Sequence, residues 1–344
     1  MALASRFWTT MYGKWRSARV DRKPGYTILM MVPGDMAVFL DLALDVCGGQ
    51  DLTHCAEILV IPDRPSPEFR KRFDAAQEER AHLPMRLVTL QFVDRLVTRK
   101  MNNPHHNYFL QLKNGIDASR TTHVLLHDAD LFIVEPNFLK AHYEACVERR
   151  LACLGLSPAW DQWYRDSGYP HVTATWELLI DVAWAQQYPP YKHHGHRDVL
   201  NGVSHEFDAT LLPQCLTPPE RVGRHDQEWG FVHFNYVISA YRLFQNSKGR
   251  YEDSNFRVLL VRLLIDACDR SGWQYDAPPI AELAMGLRNP SRRVTYTKQE
   301  TRKNYPEFRS KLKELIEKGR LSDAQCASIR KGIEPFDKTF DWRG

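Results

Sequence analysis

The chain has 344 residues, 43% of them hydrophobic and 26% charged, which is enough to bury a full core and excludes a compositionally disordered protein. Its 46 basic and 42 acidic residues are mixed along most of the chain and leave a net charge of only +4, so no electrostatic footprint for nucleic acid is expected. Seven cysteines form an odd set without a CxxC pair or zinc-like spacing, which suits buried thiols in a reducing, cytoplasmic compartment. No run approaches the roughly 18 to 20 apolar residues of a spanning helix, and no signal-peptide core is expected at the start.

In chain order, Leu3, Phe7, Trp8, Met11, Tyr12 and Trp15 fall at helical spacing, with Lys14, Arg16, Arg19, Arg22 and Lys23 nearby. Such a stripe either packs on the protein's own core or on a second subunit, or, through residues 3–23, meets the inner face of a membrane peripherally. Tyr26 to Val32 is an apolar run closed by Pro33 and Gly34, as expected of a buried strand, and Asp35 is expected to cap a helix from Met36 to Cys47. Ala56 to Ile61 repeats the strand, Ser66 and Pro67 open a helix towards Arg80, and Met85 to Leu90 is a third strand. Asn103 and Pro104 open a helix to about Ser119, and His123 to Leu126 is a strand that runs into His127-Asp128-Ala129-Asp130. Leu131 to Val134 is apolar again, a helix follows Pro136, and a strand at Leu151 to Leu156 leads into an aromatic-rich, irregular stretch. Ser254 to Ala267 is a helix with one apolar face, and beyond Pro290 the chain is basic and helical. The alternation of strands and helices predicts an α/β fold with a mainly parallel sheet.

Asp128 and Asp130 are two carboxylates one residue apart at the end of a buried strand. Hard divalent cations such as Mn2+ or Mg2+ take oxygen ligands, and a turn at a strand's carboxyl end aims such ligands at a ligand crevice. The placement, more than the DxD triplet, carries this reading. Asp253, in Arg250-Tyr251-Glu252-Asp253, stands where either a helix cap or a general base is expected, with Asp226 and Glu228 as the second choice for the base. His233, between Val232 and Phe234, is either a core histidine or a third metal ligand. His193, His194 and His196 fit a mobile acceptor loop better than a transition-metal site.

With these residues the chain resembles GT-A glycosyltransferases, whose pattern is several strand-helix units, a strand ending in DxD and an acceptor-binding second half. The resemblance covers about residues 26–270, and the Glu252-Asp253 element is similar to that of the large inverting family that includes cellulose synthases. It implies a GT-A, Rossmann-like sheet flanked by helices with a helical C-terminal extension. Its organisation would be a segment 1–25, a transferase domain 26–290 with donor half 26–156 and acceptor half 157–290, and a tail 291–344. It implies a nucleotide-diphosphate sugar donor held by Pro33, Gly34, Asp35, Asp63, Arg64, Lys113, Asn114 and Asp128. It also implies a Mn2+ or Mg2+ ion on Asp128, Asp130 and His233, and Asp253 with Glu252 as the catalytic acidic element. Trp160, Trp163, Tyr164 and Trp176 are expected to meet a glycan or lipid-linked acceptor. Histidine precedes the acidic element here, against the order in relatives, so His233 and Asp253 are in competition. The alternatives are a nucleotidyltransferase, disfavoured by the absence of a basic glycine-rich loop after the first strand, and an inactive transferase-like scaffold.

Overall fold

The computed structural model describes residues 2–17, 20–225, 231–246, 256–285 and 298–342. The first half alternates as expected: helix α1 (Ala2–Met11), strand β1 (Lys23–Val32), α2 (Ala37–Gly48), β2 (Cys55–Pro62), α3 (Pro67–Glu79), β3 (Met85–Leu87), α4 (Phe92–Met101), α5 (Pro104–Ala118), β4 (Thr121–His127), β5 (Leu131–Ile133), α6 (Phe138–Glu148) and β6 (Cys153–Gly155). The second half has shorter elements: α7 (Gln162–Asp166), β7 (Leu178–Asp181), α8 (Val182–Ala185), β8 (Arg197–Leu200), β9 (Val203–Glu206), α9 (Leu211–Cys215), β10 (Val222–Arg224) and β11 (Phe231–His233). Helices α10 (Val237–Asn246), α11 (Phe256–Cys268), α12 (Ile280–Met285), α13 (Lys298–Lys318) and α14 (Asp323–Thr339) complete the described chain.

Among the described residues a seven-stranded sheet has the order β10-β6-β7-β4-β1-β2-β3. Neighbours run parallel except at β7, which is antiparallel to both β4 and β6. The α/β, mainly parallel, helix-flanked architecture with a helical C-terminus is therefore the observed one. β1 shows why an unbroken apolar run makes a central strand. Ile28, Met30 and Val32 enter the core shared with α2, α11 and the C-terminal helices, whereas Leu29 and Met31 enter the opposite core beside Leu112 and Ile116 of α5. Both faces of the strand are thus removed from water, contributing about 1.5 to 3 kcal/mol per large side chain. Gly115 lets α5 approach, since a Cβ there would stand 2.7 Å from Ile61 and 2.8 Å from Leu29.

Two helix starts follow the expected chemistry. Ser66 accepts the Phe69 amide, and Asn103 accepts those of His105 and His106, with Pro67 and Pro104 in the first turn. Asp35 does not cap α2. The N-cap is Met36 without a side-chain bond, and the Asp35 carboxylate instead faces the Arg242 guanidinium, a buried cation with a greater need of a partner than the helix amides. Part of the N-terminal stripe packs inward: Trp8, Tyr12 and Trp15 are buried, the Tyr12 hydroxyl donates to Asp94 (2.8 Å) and the Trp15 indole donates to the Tyr188 carbonyl (2.7 Å), while Phe7 and Met11 stay exposed. His193 and His194 are also buried, which corrects the expectation of a mobile loop. His193 Nε2 donates to the Ala185 carbonyl, and His194 stacks on Trp8 with ring centroids 4.3 Å apart, because neutral imidazole packs well where the indole removes water. No helix among the described residues is long and apolar enough to cross a membrane.

Candidate active site

The strand order reverses between β1 and β4, and in such sheets the crevice at the carboxyl ends of the two strands is the natural ligand site. β4 ends at His127, and the chain turns through Asp128-Ala129-Asp130, with the Leu131 amide donating to the Asp128 carbonyl (3.1 Å). It returns as β5, which pairs antiparallel with β11 in the register Leu131 to His233. That register sets the imidazole beside the two carboxylates. His233 Nε2 lies 3.6 Å from Asp130 and 4.0 Å from Asp128, and one ligand atom from each of the three lies within 4.8 Å of the others. Asp130 is further fixed by the Val237 amide at the start of α10, which donates to it at 3.0 Å.

The charges of this group are interdependent. Burial and the neighbouring Asp130 push the Asp128 carboxyl up. Burial also acts on Asp130, but His233 and the Val237 amide outweigh it and hold that carboxyl below its usual range. Burial would lower His233, and the two carboxylates raise it instead. His233 Nε2 is buried without a hydrogen-bond partner in the structure, an orphaned donor atom aimed at two carboxylates. Two carboxylate oxygens and one imidazole nitrogen form a donor set that suits Mn2+, so the residues fit a divalent cation.

Behind this group lies a pair that sequence reasoning missed. His127 donates through Nδ1 to Glu177 (2.9 Å), and both side chains are essentially inaccessible. Glu177 adopts φ 49°, an uncommon backbone for a non-glycine residue. The only signal in the sequence was a lone carboxylate between Trp176 and Leu178. Trp176 places its ring 4.6 Å from that of His233.

The other wall is built from the loops after β1 and β2. The Gly34 amide donates to Asp63 (2.9 Å), and Asp63 also accepts from the Asn107 amide (2.9 Å) and from Arg242 (3.3 Å). Gly34 is required by close approach: a Cβ would stand 2.4 Å from the Arg64 carbonyl carbon and the Pro65 nitrogen. Arg64 lies 3.9 Å from Asp63 and 4.0 Å from Asp35, so two carboxylates and two guanidiniums form one neutral group. Gln111 donates to the carbonyls of Val32 and Ile61 and ties the ends of the two strands together. These walls, with Pro33, Asp63, Asp128, Asp130, Trp160 and Trp176 among the lining residues, enclose a cleft of about 690 Å3, within the size range of small-ligand sites.

The other expected site residues lie elsewhere. Lys113 and Asn114 are not brought to the cleft: the ammonium pairs with Asp117 (3.2 Å), the amide donates to Asp94 (2.7 Å), and both are buried residues of α5 outside the cleft lining. Asn107, Tyr108 and Gln111 line the cleft from the same helix. Trp160 is 53% exposed in the cleft wall, whereas Tyr164 is core and Trp163 stacks flat on His205 with centroids 3.7 Å apart. Asp226, Glu228, Glu252 and Asp253 lie outside the described residues.

No protein-family model matches the chain, and no curated protein matches its sequence. Solved structures that resemble it include a mannosyltransferase, PcManGT, from Pyrobaculum calidifontis in complex with GDP-Man and Mn2+ (13% identity, TM-score 0.43, covering 98% of this chain and 92% of that one). S. aureus TarS 1-349 is another (10% identity, TM-score 0.40, covering 92% and 90%), as is the same protein in complex with UDP-GlcNAc (9% identity, TM-score 0.40). Likeness at these values carries no functional conclusion for this chain.

Proposed function

We propose that the chain is a metal-dependent glycosyltransferase of the GT-A type, which moves a sugar from a nucleotide-diphosphate donor to a glycan or lipid-linked acceptor with inversion. The observation that carries this reading is the Asp128, Asp130 and His233 group, with its orphaned imidazole nitrogen, at the carboxyl end of a central strand where the strand order reverses. In this reading Asp128, Asp130 and His233 hold a Mn2+ or Mg2+ ion. When bound, the ion supplies Lewis acidity to the departing diphosphate. The α10 N-terminus and Arg257, both in the lining of the cleft, add positive potential on the same side. The Pro33, Gly34 and Asp63 wall receives the nucleoside, and Trp160 and Trp176 offer faces on which an acceptor sugar stacks. Asp253 takes the proton of the attacking hydroxyl.

The test is thermal stabilisation by uridine, guanosine, cytidine and thymidine diphosphates and their sugars, with and without manganese. One nucleotide family is expected to stabilise the wild type only with manganese, and Asp130→Ala is expected to lose the effect. No stabilisation by any of them overturns the reading. Asp253→Asn is expected to keep donor stabilisation and to lose transfer; unimpaired transfer in that variant removes Asp253 from its role.

A further inference from the structure

Helix α4 has one side covered and one side bare. Asp94, Val97 and Thr98 face inward, and Asp94 accepts the Tyr12 hydroxyl (2.8 Å) and the Asn114 amide (2.7 Å). The outward side carries Phe92, 66% exposed, and Leu96, 42% exposed, which are four residues apart and so form one row. Arg95 and Arg99 form the adjacent row, and Val93 and Lys100 flank Phe92 and Leu96 on the other side, all exposed. The helix's one acidic residue, Asp94, is the one turned inward. Trp8 of α1 and Tyr12, the residue after it ends, share a buried cluster with Val97 of α4, while Phe7 and Met11 of α1 stay exposed. Met101 leads through Asn102, at φ 43°, directly into Asn103 to Tyr108, which line the cleft.

An apolar row flanked by Arg95 and Arg99 on one side and Lys100 on the other matches the boundary of a bilayer, with acyl chains for the apolar side chains and lipid phosphates for the cations. We infer that the outer face of α4 docks the protein on an anionic lipid surface. The three cations select anionic lipid over a neutral apolar partner. Taken with the transferase reading, on which this consequence rests, docking sets the cleft edge at Asn103 to Tyr108 beside the bilayer, where a lipid-borne acceptor is met.

The experiment is co-sedimentation of the full chain with vesicles of phosphatidylcholine alone or mixed with phosphatidylglycerol. Wild type is expected to sediment with the mixed vesicles and not the neutral ones, and to be released by about 0.5 M salt. Arg95→Glu with Arg99→Glu lowers partitioning by about 25-fold or more, from roughly fivefold per lost cation. Phe92→Ser with Leu96→Ser lowers it at least about tenfold. All four positions are exposed, so unchanged melting of the variants shows that the fold is intact. Failure of wild type to bind, equal binding to neutral vesicles, or unchanged binding of either variant overturns the inference. So does a wild-type dimer that Phe92→Ser with Leu96→Ser converts to monomer, since a second copy then covers the face. Manganese-dependent nucleotide stabilisation, measured on the same samples, separates the two ideas: retained stabilisation without lipid binding overturns docking alone, and its absence in the wild type overturns the transferase reading alone.

Discussion

Asp63→Ala removes the acceptor shared by three donors from three parts of the fold: the Gly34 amide after β1, the Asn107 amide on α5 and the Arg242 guanidinium on α10. Asp63 is 4% exposed and Arg242 3%, so water does not replace the lost carboxylate. The two neutral donors cost about 1 kcal/mol each when left unpaired, and a buried guanidinium that loses one of its carboxylates costs about 2 kcal/mol more. The sum, about 4 kcal/mol, is a large part of the total stability of an ordinary protein and, at about 2.1 cal/mol/K of unfolding entropy per residue, lowers the melting temperature of a chain this long by about 5 °C. Urea unfolding at neutral pH measures the first figure and calorimetry the second. Asp63→Asn keeps an acceptor oxygen and is expected to fall between wild type and Asp63→Ala. A loss below about 1 kcal/mol in Asp63→Ala refutes the view that this buried group holds the cleft wall together.

Acidification acts through His193. Burial pulls its pKa down to about 4, and the Nδ1 that must receive the proton is buried without a partner in the structure. The unfolded chain takes up that proton near pH 6.5, so stability falls as the pH drops from about 6.5 towards 4. At about pH 5 the deficit from this residue is roughly 2 kcal/mol, and His193→Gln is expected to remove that part of the pH dependence in denaturation curves; unchanged slopes in the variant contradict the assignment. Trp160→Ala, at an exposed position in the cleft wall, is expected to change stability by less than about 0.5 kcal/mol. Acceptor kcat/KM in that variant is expected to fall about tenfold with donor stabilisation unchanged, and a full-rate variant removes Trp160 from acceptor contact.

The sequence was most legible where local chemistry and burial agree. The β1 run, the Ser66 and Asn103 caps and the strand that leads into Asp128 each have a short-range cause, and the structure has each of them. It was least legible where distant residues compete for one partner. Asp35 satisfies every local condition for a cap, yet a buried arginine 207 positions later takes it. Lys113 and Asn114 lie on the expected helix, but the helix turns them towards Asp94 and Asp117. Helix α4 begins at Gln91 without a side-chain cap and places apolar residues outward, so neither the cap nor the periodicity signal announced it. Its unusual pattern is the very feature that suggests a surface role. The antiparallel β7 is four residues long within an aromatic-rich stretch, too short for alternation to distinguish it from a loop.

Helix α10 touches both ends of the cleft floor. Its first residue binds Asp130 through the Val237 amide, and Arg242, five residues on, reaches Asp35 and Asp63. A helix rises about 1.5 Å per residue, so the backbones of Val237 and Arg242 are held about 7.5 Å apart along a rigid axis. The helix therefore works as a gauge block. The carboxylate turn and the Asp35-Asp63 wall cannot slide independently, and the spacing between them is a fixed dimension of the cleft.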